Sequence, residues 1–264
     1  MGVLAAERIK LTSTKSPRWS SVIVVVLGLG LAAVIGITSR ISVQSSDRQL
    51  SDGNTPDIEP ILPSTFDALA GVSGFGVTVL MIMAALTITS EYRFGVIRTT
   101  FQATPNRGAV LGAKALLVGV FGLVLTFVLG FGALYLAAAT AGADAGELLN
   151  LDVDGSWRVV YGTAILAFLQ IVIAVGVGAL VRQSAGAIAL LLLWPLVVES
   201  LFGLFGSLGR ALQPFLPWAN ANHFLGQGSD IDFHWGPFGS LLYFIVFTAI
   251  IFGAAVLVTN RRDA

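Results

Sequence analysis

Six long runs of apolar residues, separated by short polar segments, constrain this chain more than any other feature. A helix needs about 20 apolar residues to cross a bilayer. Only 11% of the 264 residues are charged, against about 25% in an average soluble domain. The sequence therefore predicts an all-α integral membrane protein with one domain over residues 1–264 and six transmembrane helices. We place these spans at 21–39, 68–90, 108–141, 159–181, 183–205 and 236–260.

Lysine and arginine are distributed unevenly between the two sides that these spans define. With the N-terminus inside, the inner segments hold 11 of the 15 Lys and Arg residues. The positive-inside rule assigns the side richer in these residues to the cytoplasm. We therefore expect both termini in the cytoplasm and a multi-pass protein embedded in the lipid bilayer. The net charge is zero, and nothing in the charge pattern indicates a nucleic-acid partner.

The segment that precedes the first apolar run reads "MGVLAAERIKLTSTKSPRWSS" and is basic. No small-residue cleavage pattern follows the run, which ends at Arg40. We therefore interpret the run as a retained first span and not as a signal peptide.

The common catalytic and nucleotide-binding motifs are missing from the sequence. It has no cysteine, no G-x-x-x-x-G-K-[ST], no H-E-x-x-H and no G-x-S-x-G. We therefore expect the chain by itself to be no enzyme and to bind no metal or other cofactor. One set of metal-ligand types lies between the last two spans: His223, Asp230, Asp232 and His234. It is either a zinc or copper site or an ordinary polar loop, and its scattered spacing favours the loop.

Glu199 is the exception to nearly uncharged span centres. A charge inside a span is costly and often functional. Alternatively, the span ends at Pro195, and Glu199 faces water or caps the next short helix; the sequence leaves both open.

Trp194 and Pro195 mark a break, since proline kinks or ends a helix. The following segment, 203–235, is rich in Trp, Phe and Pro, which predicts short re-entrant or interfacial helices.

A compact charged segment, "TSEYRFGVIRTTFQATPNR" at 89–107, separates the second and third spans on the inner side. We predict a short helix over 91–105, capped by Thr89 or Ser90 and ended by Pro105. One face of that helix carries three apolar residues at helical spacing: Phe94, Ile97 and Phe101. Such a helix either lies on the membrane surface or docks a cytoplasmic partner.

The stretch "EYRFGVIRTTFQATPNR" resembles the E-Y-R-x-G-T-I-R-T-T-L-x-A-T-P-x-R signature of bacterial type-2 ATP-binding-cassette exporter permeases. The N-terminal "ERIKLTSTKSPRWS" is also similar to the opening of that family, and the six-span layout matches. The stretch departs from the signature at Val96, where the family often has Thr, and at Phe101, which replaces Leu.

The resemblance implies a permease subunit in the bacterial plasma (inner) membrane. Its partners would be a cytoplasmic ATP-binding subunit, which carries ATP and Mg, and a second permease copy, identical or related. An N-terminal amphipathic elbow helix, residues 1–19, would include Glu7, Arg8 and Lys10. The short cytoplasmic helix would be the coupling helix that follows the ATPase, with these residues: Glu91, Tyr92, Arg93, Phe94, Ile97, Arg98 and Phe101. Trp194, Pro195 and Glu199 would lie at an outer gate.

Several functions remain open at this stage. The leading one is export of an amphiphilic, drug-like, peptide or lipid-like substrate. A non-transporting membrane anchor or sensor subunit of an ATPase complex needs the same docking helix. An intramembrane enzyme needs polar groups in the spans, which are scarce, and an ion-coupled carrier needs no ATPase.

Overall fold

The computed structural model describes residues 2–52, 62–104, 106–227 and 231–261, and these ranges hold helices and no strand. Pro105, Asp230, Arg262 and Asp263 lie outside them. The helical segments are α1 (Val3–Ser13), α2 (Ser16–Ser51), α3 (Thr65–Arg93), α4 (Val96–Ala103), α5 (Arg107–Ala141), α6 (Ala143–Gly146), α7 (Ser156–Val181), α8 (Ser184–Phe215), α9 (Pro217–Phe224) and α10 (Pro237–Arg261).

Six of these segments, namely α2, α3, α5, α7, α8 and α10, are long and apolar enough to cross a membrane. They are 25 to 36 residues long, and about 20 residues suffice for a bilayer core. The predicted all-α class with six candidate spans is thereby confirmed, and the protein is a multi-pass membrane protein. The first of them is longer than predicted, because the helix begins at Ser16 and continues past Arg40 to Ser51.

The chain divides into two compact units. The first comprises Met1–Ser20, Thr78–Leu123 and Ile165–Ala264, and the second comprises Ser21–Val77 and Val124–Ala164. Nearly all of the residues predicted to be functional lie in the first unit.

A tight contact between α3 and α7 organises the first unit. A Cβ added at Gly178 would lie 3.2 Å from the Ala85 carbonyl oxygen and 2.5 Å from Ile88 Cγ2. Glycine at this position therefore lets the two backbones approach closely. A buried apolar cluster continues from this contact: Ile88, Ile97, Phe101, Val110, Leu111, Ala179 and Ala255.

The second unit has a comparable close approach between α2 and α5. A Cβ at Gly36 would clash with the carbonyl oxygen of Ala137. Ala137 belongs to a row of small residues, with Ala133 and Ala141, and all three are buried. The hydroxyls of Thr65 and Ser156 lie 2.7 Å apart in the same unit and join α3 to α7.

The fifth candidate span, α8, is helical over its whole length but irregular. Pro195 was expected to kink or end it, yet the chain passes through a π-helical turn at Trp194–Val198 and continues as helix from Glu199. A π-helical turn is wider than an α-helical one, so the helix continues here although Pro195 cannot donate a backbone hydrogen bond. A second irregularity follows at Gly206, whose φ of +57° lies in a region that favours glycine.

Candidate functional site

The short helix α4 owes its start to Gly95. Tyr92 and Arg93 are the last residues of α3, and Gly95 then takes a left-handed φ of +71° that ends the helix. The helix restarts at Val96, and the Arg98 N–H donates to the Gly95 carbonyl at 3.3 Å. The helix start at Gly95 thus lies five to six residues later than the Thr89 or Ser90 cap predicted from sequence.

Thr89 does not cap a helix, because its hydroxyl donates to the Ala85 carbonyl at 2.9 Å inside α3. The predicted end of α4 at Pro105 lies outside the described residues; the helix itself ends at Ala103.

One face of α4 is buried in the first unit. Ile97 is 2% exposed and Phe101 is 7% exposed, and both pack into the apolar cluster formed by α3, α5, α7 and α10. The guanidinium of Arg107 lies 5.2 Å from the centre of the Phe101 ring and donates to the Thr259 carbonyl at 3.0 Å. The helix is therefore fixed to the ends of several candidate spans.

The outward side of α4 and the residues that join it to α3 are exposed and carry basic and aromatic groups. Phe94 precedes the helix and is 71% exposed, so the prediction that it shares one helix face with Ile97 and Phe101 is wrong. The reason is the left-handed Gly95, which breaks the helical phase between Phe94 and Ile97. Arg93 and Arg98 are exposed too, and the Arg93 guanidinium lies 5.4 Å from the Phe94 ring centre.

A buried ionic cluster lies behind this helix, formed by Glu7, Lys10, Glu91 and Lys114. The Lys114 ammonium lies 2.6 Å from Glu7 Oε2 and 2.9 Å from Glu91 Oε1. The Lys10 ammonium lies 2.7 Å from Glu7 Oε1 and 3.1 Å from Glu91 Oε1. Lys10 also donates to the Thr100 hydroxyl on α4 at 3.3 Å. The cluster therefore connects α1, α3, α4 and α5.

The charges of this cluster are balanced and mostly shielded from water. Glu7, Glu91 and Lys114 are 4 to 8% exposed, whereas Lys10 reaches the surface. Burial would raise the pKa of Glu7, but the charge of Lys114 and the hydrogen bonds from Lys10 and Lys114 outweigh burial and lower it. Burial would lower the pKa of Lys10, but its hydrogen bond to Glu7 and the charge of Glu91 raise it. Both shifts in pKa favour the ionised form of the group.

The sequence-predicted residues thus separate into two groups. Glu7, Lys10 and Glu91 meet in the ionic cluster, while Arg8 is exposed on α1. Tyr92 packs against the apolar cluster instead, with the Arg182 guanidinium 4.9 Å from its ring centre. The predicted elbow over 1–19 consists of α1, a break at Thr14 and Lys15, and the first turn of α2.

Sequence reasoning missed Lys114 as a functional residue. The one feature of the sequence that points to Lys114 is its position: it is the single charged residue in the long apolar stretch that follows Arg107. A lysine at such a place needs an anionic partner, and Glu7 and Glu91 supply it here.

Glu199 forms a second polar site in the first unit. Its Oε1 accepts from the Trp194 indole at 3.1 Å and from the Trp218 N–H at 3.0 Å, and its Oε2 accepts from the Ala219 N–H at 3.0 Å. Trp218 and Ala219 are in the first turn of α9, whose own preceding residue, Leu216, has no capping side chain. Glu199 therefore caps α9 from a distance. The interpretation that joined such capping to an end of the span at Pro195 is met only in its capping part, because α8 continues as helix through Glu199.

His223 is engaged in packing. Its Nδ1 lies 2.7 Å from the Ser240 hydroxyl, and its ring stacks on Phe233 with 3.9 Å between ring centres. Within the described ranges no three His, Asp or Glu residues are arranged to hold a metal ion. Asp230, a member of the set considered from sequence, lies outside those ranges.

Comparisons of the chain with protein-family models, curated proteins and solved structures give no match. The family resemblance of the 91–107 stretch therefore stays a prediction.

Proposed function

We propose that this protein is the membrane permease subunit of an ATP-driven exporter. One observation carries the proposal: α4 is anchored by Ile97 and Phe101 to the ends of several candidate spans, and its outward side forms an exposed basic and aromatic surface together with the residues that join it to α3. This surface, which we call the docking surface, consists of Arg93, Phe94, Val96 and Arg98. A helix held in this way transmits a push from a cytoplasmic ATPase subunit to the spans.

The ionic cluster supports the same role. Removing one partner from a buried ion pair costs several kcal/mol, about 3–5. The elements that the cluster joins therefore move together when α4 is displaced, and α1, as the elbow helix, follows α4. In this mechanism Glu91 acts inside the protein as a brace, while Arg93 and Arg98 face the ATPase.

The remaining parts of the proposal follow the family resemblance. ATP and Mg belong to the partner subunit, and a second permease, identical or related, completes the transport path. Nearly uncharged span centres favour an amphiphilic, drug-like, peptide or lipid-like substrate over a small ion. Trp194, Pro195 and Glu199 form part of an outer gate, in which the carboxylate keeps α9 attached to α8. The setting is the bacterial plasma membrane, with both termini in the cytoplasm.

Site-directed crosslinking tests the docking surface, and the natural absence of cysteine makes the chain a ready background. Phe94→Cys, co-expressed with the ATPase subunit that the proposal requires, is expected to crosslink to it. Leu212→Cys, on an exposed position of α8, is the matched control and is expected not to react. Equal crosslinking at the two positions, or none at Phe94, would reject the docking surface.

Transport by reconstituted vesicles separates this function from that of a non-transporting anchor. A permease with its ATPase is expected to move a labelled amphiphile only when ATP is supplied. ATP hydrolysis without any transport of a broad amphiphile panel would favour the anchor.

A further inference from the structure

A cavity of about 460 Å³ opens beside the ionic cluster, between α1, the start of α2, α3 and α5, all within the first unit. Small-molecule sites typically have volumes of about 300–1,000 Å³. The charged end of the cavity is formed by the cluster itself. Its walls are apolar and include Leu11, Leu86, Leu117 and Val118. The cavity therefore suits a ligand with one polar end and an apolar body.

The charged end has an unused hydrogen-bond acceptor. Glu91 Oε1 accepts from both Lys10 and Lys114, whereas Glu91 Oε2 is buried and has no partner among the residues that the structure describes. The Lys10 ammonium already contacts three acceptors, on Glu7, Glu91 and Thr100. An ionised carboxylate accepts hydrogen bonds and cannot donate them. The missing partner is therefore a donor.

Hydroxyl groups along the cavity provide further hydrogen-bond acceptors. Ser13, Thr14 and Thr87 each donate to a carbonyl of their own helix, at 2.7 to 3.3 Å. Their oxygens remain available as acceptors. Together with Glu91 Oε2, they are acceptors that receive no hydrogen bond from the described residues, while the Lys114 ammonium contacts two acceptors, on Glu7 and Glu91.

We propose that this cavity binds a protonated amine carried on an apolar body. The ammonium donates to Glu91 Oε2 and to the hydroxyl oxygens, and the apolar body contacts Leu86, Leu117 and Val118. An ammonium is preferred to an alcohol because it has three N–H donors instead of one O–H and carries a charge opposite to that of the Glu91 carboxylate. The amine has two sources, the ethanolamine headgroup of a phospholipid or a free amphiphilic amine. This site goes beyond the proposed function and does not depend on it.

Saturation binding of labelled octylamine to the purified chain tests the site. The chain is placed in nanodiscs of phosphatidylcholine, whose quaternary ammonium has no N–H donor. Leu117→Trp fills the cavity and is expected to weaken saturable binding by at least about tenfold, which corresponds to about 1.4 kcal/mol. Leu116→Trp is the matched control, since Leu116 is 46% exposed and does not line the cavity. It is expected to bind as the natural chain does.

Ser90→Leu is a second variant, which narrows the cavity from α3 and is expected to weaken binding likewise. It keeps the proposal testable if Leu117→Trp does not fold, as judged by gel filtration. Competition gives the chemical test: octanol is expected to compete weakly and octanoate not at all. Replacing Glu91 by Gln is expected to remove the preference for octylamine over octanol.

Added phosphatidylethanolamine identifies the source of the amine. Competition with octylamine assigns the site to the lipid headgroup, and its absence assigns the site to free amines; either result supports the shared chemistry. Equal binding to the Leu116 and Leu117 variants, no saturable binding, or competition by octanoate equal to that by octylamine would overturn the proposal. These measurements use the chain without the ATPase, so their failure is distinct from a failure of the docking surface.

Discussion

Lys114 and Glu7 form a buried ion pair across 107 positions of sequence, with 2.6 Å between Nζ and Oε2. Each side chain is at most 5% exposed, so water screens the pair little. The pair holds the N-terminal helix α1 against α5. Its strength therefore decides whether α1 stays attached when neighbouring elements move.

Replacing Lys114 by Met is expected to destabilise the protein by about 3–5 kcal/mol, because two buried carboxylates then share the single ammonium of Lys10. Thermal unfolding in detergent measures the loss. The double variant Glu7→Gln/Lys114→Met restores charge balance and is expected to cost less than the two single changes summed. Strict additivity would show that the two residues do not act as a pair.

Acid is expected to weaken this cluster through Glu7. Its pKa is lower in the folded chain than the ordinary value of 4.5, so the unfolded chain binds the proton more tightly. The stabilisation is fully present above 4.5 and is lost as the pH falls through the lowered pKa. Melting temperatures between about pH 7 and pH 3 measure this loss. Glu7→Gln has no such carboxyl and is the control. Its melting temperature is expected to fall less between about pH 7 and pH 3, and an equal fall in both proteins would contradict the role of Glu7.

The sequence predicted the parts of the fold that depend on local pattern. The apolar runs predicted six candidate spans, and the helical spacing of Ile97 and Phe101 predicted that these two residues share one face of α4. The position of Phe94 was predicted wrongly, because helical spacing was extended across Gly95, whose left-handed φ ends the helix there.

The sequence did not reveal which charged side chains pair across long sequence distances. Glu91 and Lys114 each carried a charge without a readable partner, since the contacts of Lys114 with Glu7 and with Glu91 depend on how three helices pack. Glu199 illustrates the same limit: its role as the cap of α9 is visible only in the hydrogen bonds that it accepts from Trp218 and Ala219.

Gly95→Ala tests the break between α3 and α4. A Cβ at Gly95 meets nothing within 4 Å, so the cost of alanine comes from its φ of +71° alone. We expect a destabilisation of about 1–2 kcal/mol. Gly112→Ala is the matched control, because Gly112 also has open space at its Cβ but lies inside α5 with ordinary helical φ. It is expected to stabilise by about 0.5–1 kcal/mol, and a similar loss in both variants would refute the special role of Gly95.

Substitutions on the two faces of α4 are expected to have different effects: those on the buried face lower stability, and those on the exposed face weaken coupling to the ATPase. Phe101→Ala removes a buried ring and is expected to cost about 3–5 kcal/mol of stability. Arg98→Ala removes an exposed guanidinium, so its stability is expected to stay within about 0.5 kcal/mol of the natural chain. The same change is expected to weaken capture of the ATPase subunit and to lower its transport-coupled hydrolysis.

Thermal unfolding and affinity capture of the ATPase, performed on the same preparations, measure both effects. Gln102→Ala is the matched control, an exposed neutral residue on the same helix; it is expected to change neither stability nor capture. Because Arg98 contributes charge and Gln102 does not, the difference between these two variants is also expected to shrink as salt rises. Unchanged capture by the Arg98 variant at low salt would place the ATPase contact elsewhere on the chain.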